Sequence, residues 1–342
     1  VMKGGERFFE VTKKFHNALH GAAVDLSEKD FSTFLETTQQ NLREISLSDD
    51  IIFVHDPQPV AMVKARKRSR ARWIWRCHID LSAPDSRVWS FIRSFVAQYD
   101  ASVFTAPSFA RPLPIRRYLI PPSIDPLSEK NKELSESAIE VVLRKYDINQ
   151  EKPIVAQISR FDRLKDPLGV IEAYRLVKRH IDCQLVLAGG GAADDPEGEK
   201  VLREVEGEAE SDRDIHVLPL PSGSDLEINA LQRAAAVVVQ KSIKEGFGLT
   251  VSEALWKGKP VVASAVGGMP LQINHGNTGL LSHSVEGAAY HIRKLLRDKE
   301  FAERLGRNGR EHVRQNFLLT RHLKDYLVLF LLAGHRQENL YL

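Results

Sequence analysis

Short, wholly apolar runs alternate with helix-period segments along most of this chain, and that alternation leaves stacked parallel βα units as the natural fold. The first such run is Asp50-Ile51-Ile52-Phe53-Val54, and Arg72-Trp73-Ile74-Trp75-Arg76 repeats the arrangement. Ser102-Val103-Phe104-Thr105 and Tyr118-Leu119-Ile120 follow as further strands. Proline pairs near Pro112 and Pro121 then break the pattern, as a domain boundary would. After a helical segment over 135–144, a fresh series begins with strands over 154–158, 184–187, 215–217, 236–239 and 260–263, helices filling the gaps. This second half reads as a clear doubly wound lobe. The chain has 342 residues at 43% hydrophobic, more than one core usually covers, so two domains are expected.

Composition excludes several function classes. Basic and acidic side chains nearly balance, 48 against 45, so nothing drives the whole molecule toward nucleic acid or a membrane. The run Lys64-Ala65-Arg66-Lys67-Arg68-Ser69-Arg70-Ala71-Arg72 is the one candidate nucleic-acid patch. It lacks interleaved aromatics and reads better as a solvated helix end. The expected partner is a small molecule. Cys77 and Cys183 fall in different halves, which argues against a disulfide scaffold and for a reducing, cytoplasmic setting. The apolar stretch 326–333 is too short to span a bilayer and reads as a docked terminal helix. Oligomeric state is left open, a homodimer among the options.

The densest chemical signal is Glu245-Gly246-Phe247-Gly248-Leu249, followed by Glu253. Gly246 and Gly248 let backbone approach a ligand, and the apolar Leu249, Val251, Ala254 and Leu255 begin a helix whose first N–H groups have no intrahelical partners. Such a helix start attracts phosphate. Glu245 and Glu253 flank it, suited to a hydroxyl-rich ligand. The plain alternative is a loop and helix with two solvated glutamates. A second constellation follows the first strand of the second half, where Ser159-Arg160-Phe161-Asp162-Arg163-Leu164-Lys165-Asp166 leads into a helix. Arg160 can grip phosphate oxygens bidentately and Lys165 adds a compact charge, so together they could hold a diphosphate and stabilise its departure. Arg163 is a weaker claimant, and alone the cluster could be ordinary surface charge. Neither a metal-ligand cluster nor a nucleophile with a dedicated base is evident, and no metal or other cofactor is expected. Asp194-Asp195, before Pro196, is the one tempting acidic pair, and it reads as a helix start serving the dipole.

Ser159-Arg160 with Lys165, Glu245-Gly246-Phe247-Gly248-Leu249 with Glu253, Ala265-Val266-Gly267-Gly268-Met269-Pro270, and Gly276-Asn277-Thr278-Gly279-Leu280, in that order, resemble the retaining glycosyltransferases of family 4. The resemblance covers the whole second half. It implies an α/β GT-B fold: two Rossmann-like doubly wound domains facing a central cleft, with the last helix crossing back to the first domain. The expected division is 1–130, 131–316 and a crossing helix over 317–334. The remainder, 335–342, contains Gln337-Glu338-Asn339-Leu340-Tyr341, which resembles part of a protease-cleavage tag and could equally be native. In the first half, the segments 8–18, 54–59, 75–81 and 121–126 look like the trehalose-forming branch, which joins glucose to a nucleotide-activated glucose.

What the resemblance implies is specific. Arg160 and Lys165 would take the diphosphate, Glu253 the ribose, and Glu245 with the backbone of Gly246, Phe247, Gly248 and Leu249 the donor glucose. His78 would reach that glucose from the other domain, and Asp56 would bind the acceptor sugar with Arg76 as support. The plain alternatives are a core histidine at His78 and a turn former at Asp56 before Pro57. The implied reaction transfers α-glucose from a nucleoside diphosphate glucose to glucose with retention, domain closure excluding water. Retaining trehalose phosphorylases and other family 4 transferases are the alternatives, and a noncatalytic nucleotide-sugar or nucleic-acid binder is a more distant one. One departure stands out: the family carries a glycine-rich loop after its first strand, whereas here Lys3-Gly4-Gly5 has no strand before it. The first domain is therefore expected to be incomplete at its start.

Overall fold

A computed structural model describes residues 2–190 and 196–334. Asp194-Asp195 and the segment 335–342 lie outside the described residues. The chain divides into two units, Val1–Pro121 with His322–Leu342 and Pro122–Arg321. The first boundary falls at the proline pair itself, earlier than 130/131, because Ile124 already belongs to the second unit. Its N–H donates to the Phe317 carbonyl at 2.8 Å, and its side chain is buried in that unit's core.

The first unit is built on four parallel strands, β1 (Ile51–His55), β2 (Arg72–Arg76), β3 (Ala101–Phe104) and β4 (Arg116–Leu119), in the order β1-β2-β3-β4. Helices α1 (Glu6–Leu19), α2 (Glu28–Glu44) and α3 (Ser86–Val96) accompany it, and rings of Phe15, Phe31, Phe34 and Phe91 meet where they pack. The pleat sorts side chains to opposite faces. Ile74, Ala101, Val103 and Ile120 therefore meet the last helix, whose Tyr326, Leu329, Phe330 and Ala333 cover them. The basic run near residue 66 forms a 3-10 segment, Val60–Arg68. Its leading apolar residues are buried, and Arg66 pairs with Asp100 at 2.5 Å.

The second unit carries α4 (Glu136–Lys145), β5 (Ile154–Ile158), α5 (Pro167–Lys178), β6 (Gln184–Gly189), α6 (Pro196–Ala209), β7 (Ile215–Pro219), α7 (Asp225–Ala234) and β8 (Val237–Gln240). It continues with α8 (Leu249–Trp256), β9 (Val261–Ser264), α9 (Met269–Gln272), β10 (Leu280–Ser282), α10 (Val285–Arg297) and α11 (Lys299–Asn316), and α12 (Leu319–Gly334) then leads into the first unit. Its sheet is parallel, in the order β10-β9-β8-β5-β6-β7. Apolar clusters on both faces explain why its strands read as continuous hydrophobic runs. The order reverses between β5 and β8, which pair at Val155↔Val237 and Ala156↔Val238. In open α/β sheets ligands bind outside the carboxyl ends of strands at such a reversal. β5 ends in Ser159-Arg160, and β8 ends in Lys241 and the loop to Glu245.

Candidate functional site

At the reversal, the loops after β5 and β8 are joined by a backbone hydrogen bond and by ion pairs. The buried Gln157 donates to the Lys165 carbonyl at 2.8 Å, and Ile243 N–H donates to the Leu164 carbonyl at 2.8 Å. Asp166 adopts the left-handed conformation (φ 50°), caps α5 through Gly169 N–H at 3.1 Å and pairs with Lys241. Gly189 ends β6 so close to this turn that a Cβ would lie 1.9 Å from the Ser159 carbonyl oxygen. The product of this bracing is one ion pair: Lys165 Nζ sits 2.5 Å from Glu245 Oε2, both side chains largely buried. The Ser242 hydroxyl donates to the same oxygen at 3.3 Å. Arg160 stands at the same strand end with its side chain 62% exposed, its recorded contact being Asp162 at 3.5 Å. Arg163 points elsewhere, to Glu204 of α6 at 2.9 Å.

The glycine turn is equally constrained. Gly248 (φ 81°) is the residue before α8, and Leu249, the helix's first residue, is exposed while Phe247 is buried against Phe317. Gly267 and Gly268 lie directly on this turn. A Cβ on Gly267 (φ 58°) would fall 1.6 Å from the Glu245 carbonyl oxygen, and one on Gly268 would fall 2.7 Å from that of Gly246. Buried Gln272 donates to the Phe247 carbonyl and accepts from Ser252 Oγ. Gln157, Ser242 and Gln272 carried no sequence signal, because an amide or hydroxyl that braces a loop has no characteristic spacing.

Glu253 lies deeper in α8, 8% exposed. Burial holds its carboxyl above the usual range, opposed by Lys130 and Lys257. Lys257 is also buried, and its ammonium donates to Asn131 Oδ1 at 3.0 Å, Gln232 Oε1 at 2.8 Å and the Glu253 carbonyl at 3.3 Å. Burial pushes this amine down to about 7, opposed by Glu253.

In the first unit, the ends of β1 and β2 form a second cluster. Asp56 takes the left-handed conformation (φ 63°), and its Oδ1 accepts the backbone N–H of His78 at 2.9 Å. Trp75 Nε1 donates to the Asp56 carbonyl at 3.0 Å. Asp56 thus does shape the turn before Pro57, whatever else it binds. Burial raises its carboxyl, while the His78 hydrogen bond works against that. His78 Nε2 lies 3.1 Å from His55 Nδ1, the rings stacked with centroids 5.4 Å apart. His78 is exposed, yet desolvation of part of its ring, then Arg76, lowers it to about 4. Arg76, expected beside the acceptor, is fully buried; its guanidinium donates to the carbonyls of Ile120 at 2.7 Å and Phe104 at 3.4 Å and to Thr105 Oγ1 at 3.4 Å. It therefore ties the carboxyl end of β2, which leads to His78, to the ends of β3 and β4. The structure thus joins Lys165 to Glu245 and Asp56 to His78, while Arg160 is exposed near Asp162 and Glu253 is buried with Lys257.

Comparison with known proteins places these features in a family. The trehalose synthase N-terminal domain matches residues 1–111, and the group 1 glycosyl transferases match residues 139–312. A trehalose synthase of Rubrobacter xylanophilus is 47% identical over 340 residues, covering 96% of this chain and 81% of that protein. This chain belongs to the trehalose synthase family of group 1 glycosyltransferases. A trehalose phosphorylase of Grifola frondosa is more distant, 29% identical over 89% of this chain but only 48% of its own length. The fold is GT-B: an α,α-trehalose-phosphate synthase (UDP-forming) of Burkholderia xenovorans, solved with glucose-6-phosphate, matches with a TM-score of 0.75 at 16% identity. That match covers 96% of this chain and 85% of the solved one. The chain is thus a trehalose-related hexosyltransferase.

Proposed function

We propose that this glycosyltransferase moves the α-glucosyl group of a nucleoside diphosphate glucose onto glucose, releasing the nucleoside diphosphate and forming trehalose with retention, reversibly. The observation that carries the reading is the Lys165–Glu245 pair at the β5/β8 reversal, with Arg160 exposed at the end of β5 and the start of α8 following the Glu245 turn. Two cations and a helix start supply positive potential for a departing diphosphate. Glu245 supplies a carboxylate for glucose hydroxyls, and Glu253 one for the ribose. In the first unit, His78 would contact the donor glucose and Asp56 the acceptor, with Arg76 holding the strand ends beneath them.

The step balances without a protein nucleophile. The bond from the anomeric carbon to the β-phosphate oxygen breaks, and the acceptor hydroxyl oxygen bonds that carbon on the same face. The hydroxyl proton passes to the departing phosphate oxygen. Positioning and leaving-group stabilisation are what the chain has to provide. A divalent metal is not needed in this scheme, since Arg160 and Lys165 occupy the electrostatic role.

The test is incubation of the protein with glucose and a panel of nucleoside diphosphate glucoses, followed by disaccharide analysis, beside a parallel incubation of trehalose with inorganic phosphate. Trehalose formed only with a nucleotide donor supports the reading. Phosphate-dependent cleavage of trehalose that ignores nucleoside diphosphate makes the chain a phosphorylase instead, and nucleotide-sugar affinity without turnover makes it a binder.

A further inference from the structure

His55 has no part in the scheme above, yet it is the residue that fixes the ring of His78. Its Nδ1 lies 3.1 Å from His78 Nε2, and the two imidazoles are within 11° of parallel. Phe53 packs against the His55 ring with centroids 5.0 Å apart, so that ring is itself held. The backbone of His78 is pinned separately by Asp56 Oδ1. With backbone and Nε2 both fixed, the remaining polar atom of the His78 ring is Nδ1.

Both residues keep exposed surface, yet partial desolvation at the strand ends disfavours the charged form of both rings. Around His55 the charged groups are Asp56 and Arg76, and around His78 they are Arg76, His55 and His322. Two neutral imidazoles can make this contact only if one donates and the other accepts. When His55 Nδ1 carries the hydrogen, His78 must carry its own on Nδ1 and presents a donor there; in the reverse arrangement His78 Nδ1 presents an acceptor. The state of one ring dictates the state of the other. Resting on the proposed role of His78 at the donor sugar, we infer that His55 is a positioning residue that sets the orientation and tautomer with which His78 meets the sugar.

Two substitutions separate the hydrogen bond from the packing. His55→Phe keeps a flat ring against Phe53 and removes both nitrogens, whereas His55→Asn places an amide near the position of Nδ1. We expect His55→Phe to lower kcat by about tenfold to a hundredfold, the range for losing a partner that orients a functional histidine. The KM for the nucleotide donor and the melting temperature should stay near wild type, and His55→Asn should recover part of the rate. In a His78→Ala background, His55→Phe should have no further effect. Ring-nitrogen NMR of the full chain, with His78 assigned by its loss in His78→Ala, should show the His78 tautomer changing in His55→Phe. An unchanged His78 tautomer, or an equal loss of rate in both backgrounds, overturns the inference. If the tautomer shifts while His78→Ala itself leaves turnover untouched, the coupling stands and the role assigned to His78 at the sugar falls instead.

Discussion

Arg160 and Lys165 share a role in the proposed reaction but not a structural situation, and their alanine variants should therefore differ. Arg160 is mostly exposed, 3.5 Å from Asp162, so Arg160→Ala should leave the melting temperature in place while kcat falls by roughly a hundredfold, the usual cost of losing one charge-stabilising group. Lys165→Ala removes the cation from a largely buried carboxylate. Breaking such a pair costs about 3 kcal/mol or more, and adding Glu245→Gln should restore much of that stability without restoring turnover. Thermal melts beside steady-state rates check both, and normal turnover in the two single variants would remove the cradle from the mechanism. Asp56 offers a cleaner separation. Asp56→Asn keeps an oxygen for the His78 N–H and tolerates φ 63°, so stability should hold. If the carboxylate binds the acceptor, losing a charged hydrogen bond of about 1.5–3 kcal/mol should raise the KM for glucose about tenfold or more; an unchanged KM leaves Asp56 a turn former. Lys257 adds a pH signature. Its folded-state pKa is depressed to about 7 from 10.5, so its contribution to stability is full above the unfolded value and is lost as pH falls toward 7. Urea midpoints of the wild type should therefore carry a rise between pH 7 and 9 that Lys257→Met lacks.

Among the elements, the loop after β9 acts as a clamp on the loop before α8. Gly267→Ala should show this directly, because the new Cβ would fall 1.6 Å from the Glu245 carbonyl oxygen at a left-handed φ. The Glu245 turn must move, at a cost of about 1–3 kcal/mol for the backbone conformation alone. Calorimetric titration with nucleoside diphosphate should then show binding weakened along with stability; an unaffected affinity would mean that the turn does not hold the nucleotide. The strands were legible in the sequence because burial on both faces leaves them uniformly apolar, and Val155, Val186, Val238 and Val262 are all inside. β10 escaped notice at three residues, too short for any periodicity to register. The basic run at 64–72 shows the complementary difficulty, since what settles its shape is the buried Val60, Ala61, Met62 and Val63 ahead of it. Glycine spacing singled out the turn before α8, but Gln272, which braces it, answers only to contacts distant in sequence. Arg76 was expected as support beside the acceptor, and the fold adds what spacing could not show: its guanidinium donates to the carbonyls of Ile120 and Phe104.

For the molecule as a whole, the proposed roles follow the division of the chain. Arg160, Lys165, the helix start, Glu245 and Glu253 belong to the second unit, while Asp56, His78 and Arg76 belong to the first. The near-balance of total charge, 48 basic against 45 acidic, means that affinity for an anionic donor has to come from this local arrangement. That bears on metal dependence. A nucleoside diphosphate leaves with charge that a divalent cation can neutralise as a Lewis acid, or that fixed protein cations can neutralise without one. Arg160 and Lys165 both lie in the segment that follows β5 at the strand reversal, and the Lys165 ammonium is paired with Glu245. If these two side chains do the neutralising, a metal is redundant, and turnover with a nucleoside diphosphate glucose should then persist in excess chelator. Added magnesium should change the rate less than about twofold, far below the hundredfold that a group carrying leaving-group charge contributes. Arg160→Ala supplies the internal control. If the cations do the neutralising, magnesium should rescue that variant partly while leaving the wild type alone. Abolition of wild-type activity by chelator, with recovery on adding magnesium, would show that the two side chains are not sufficient.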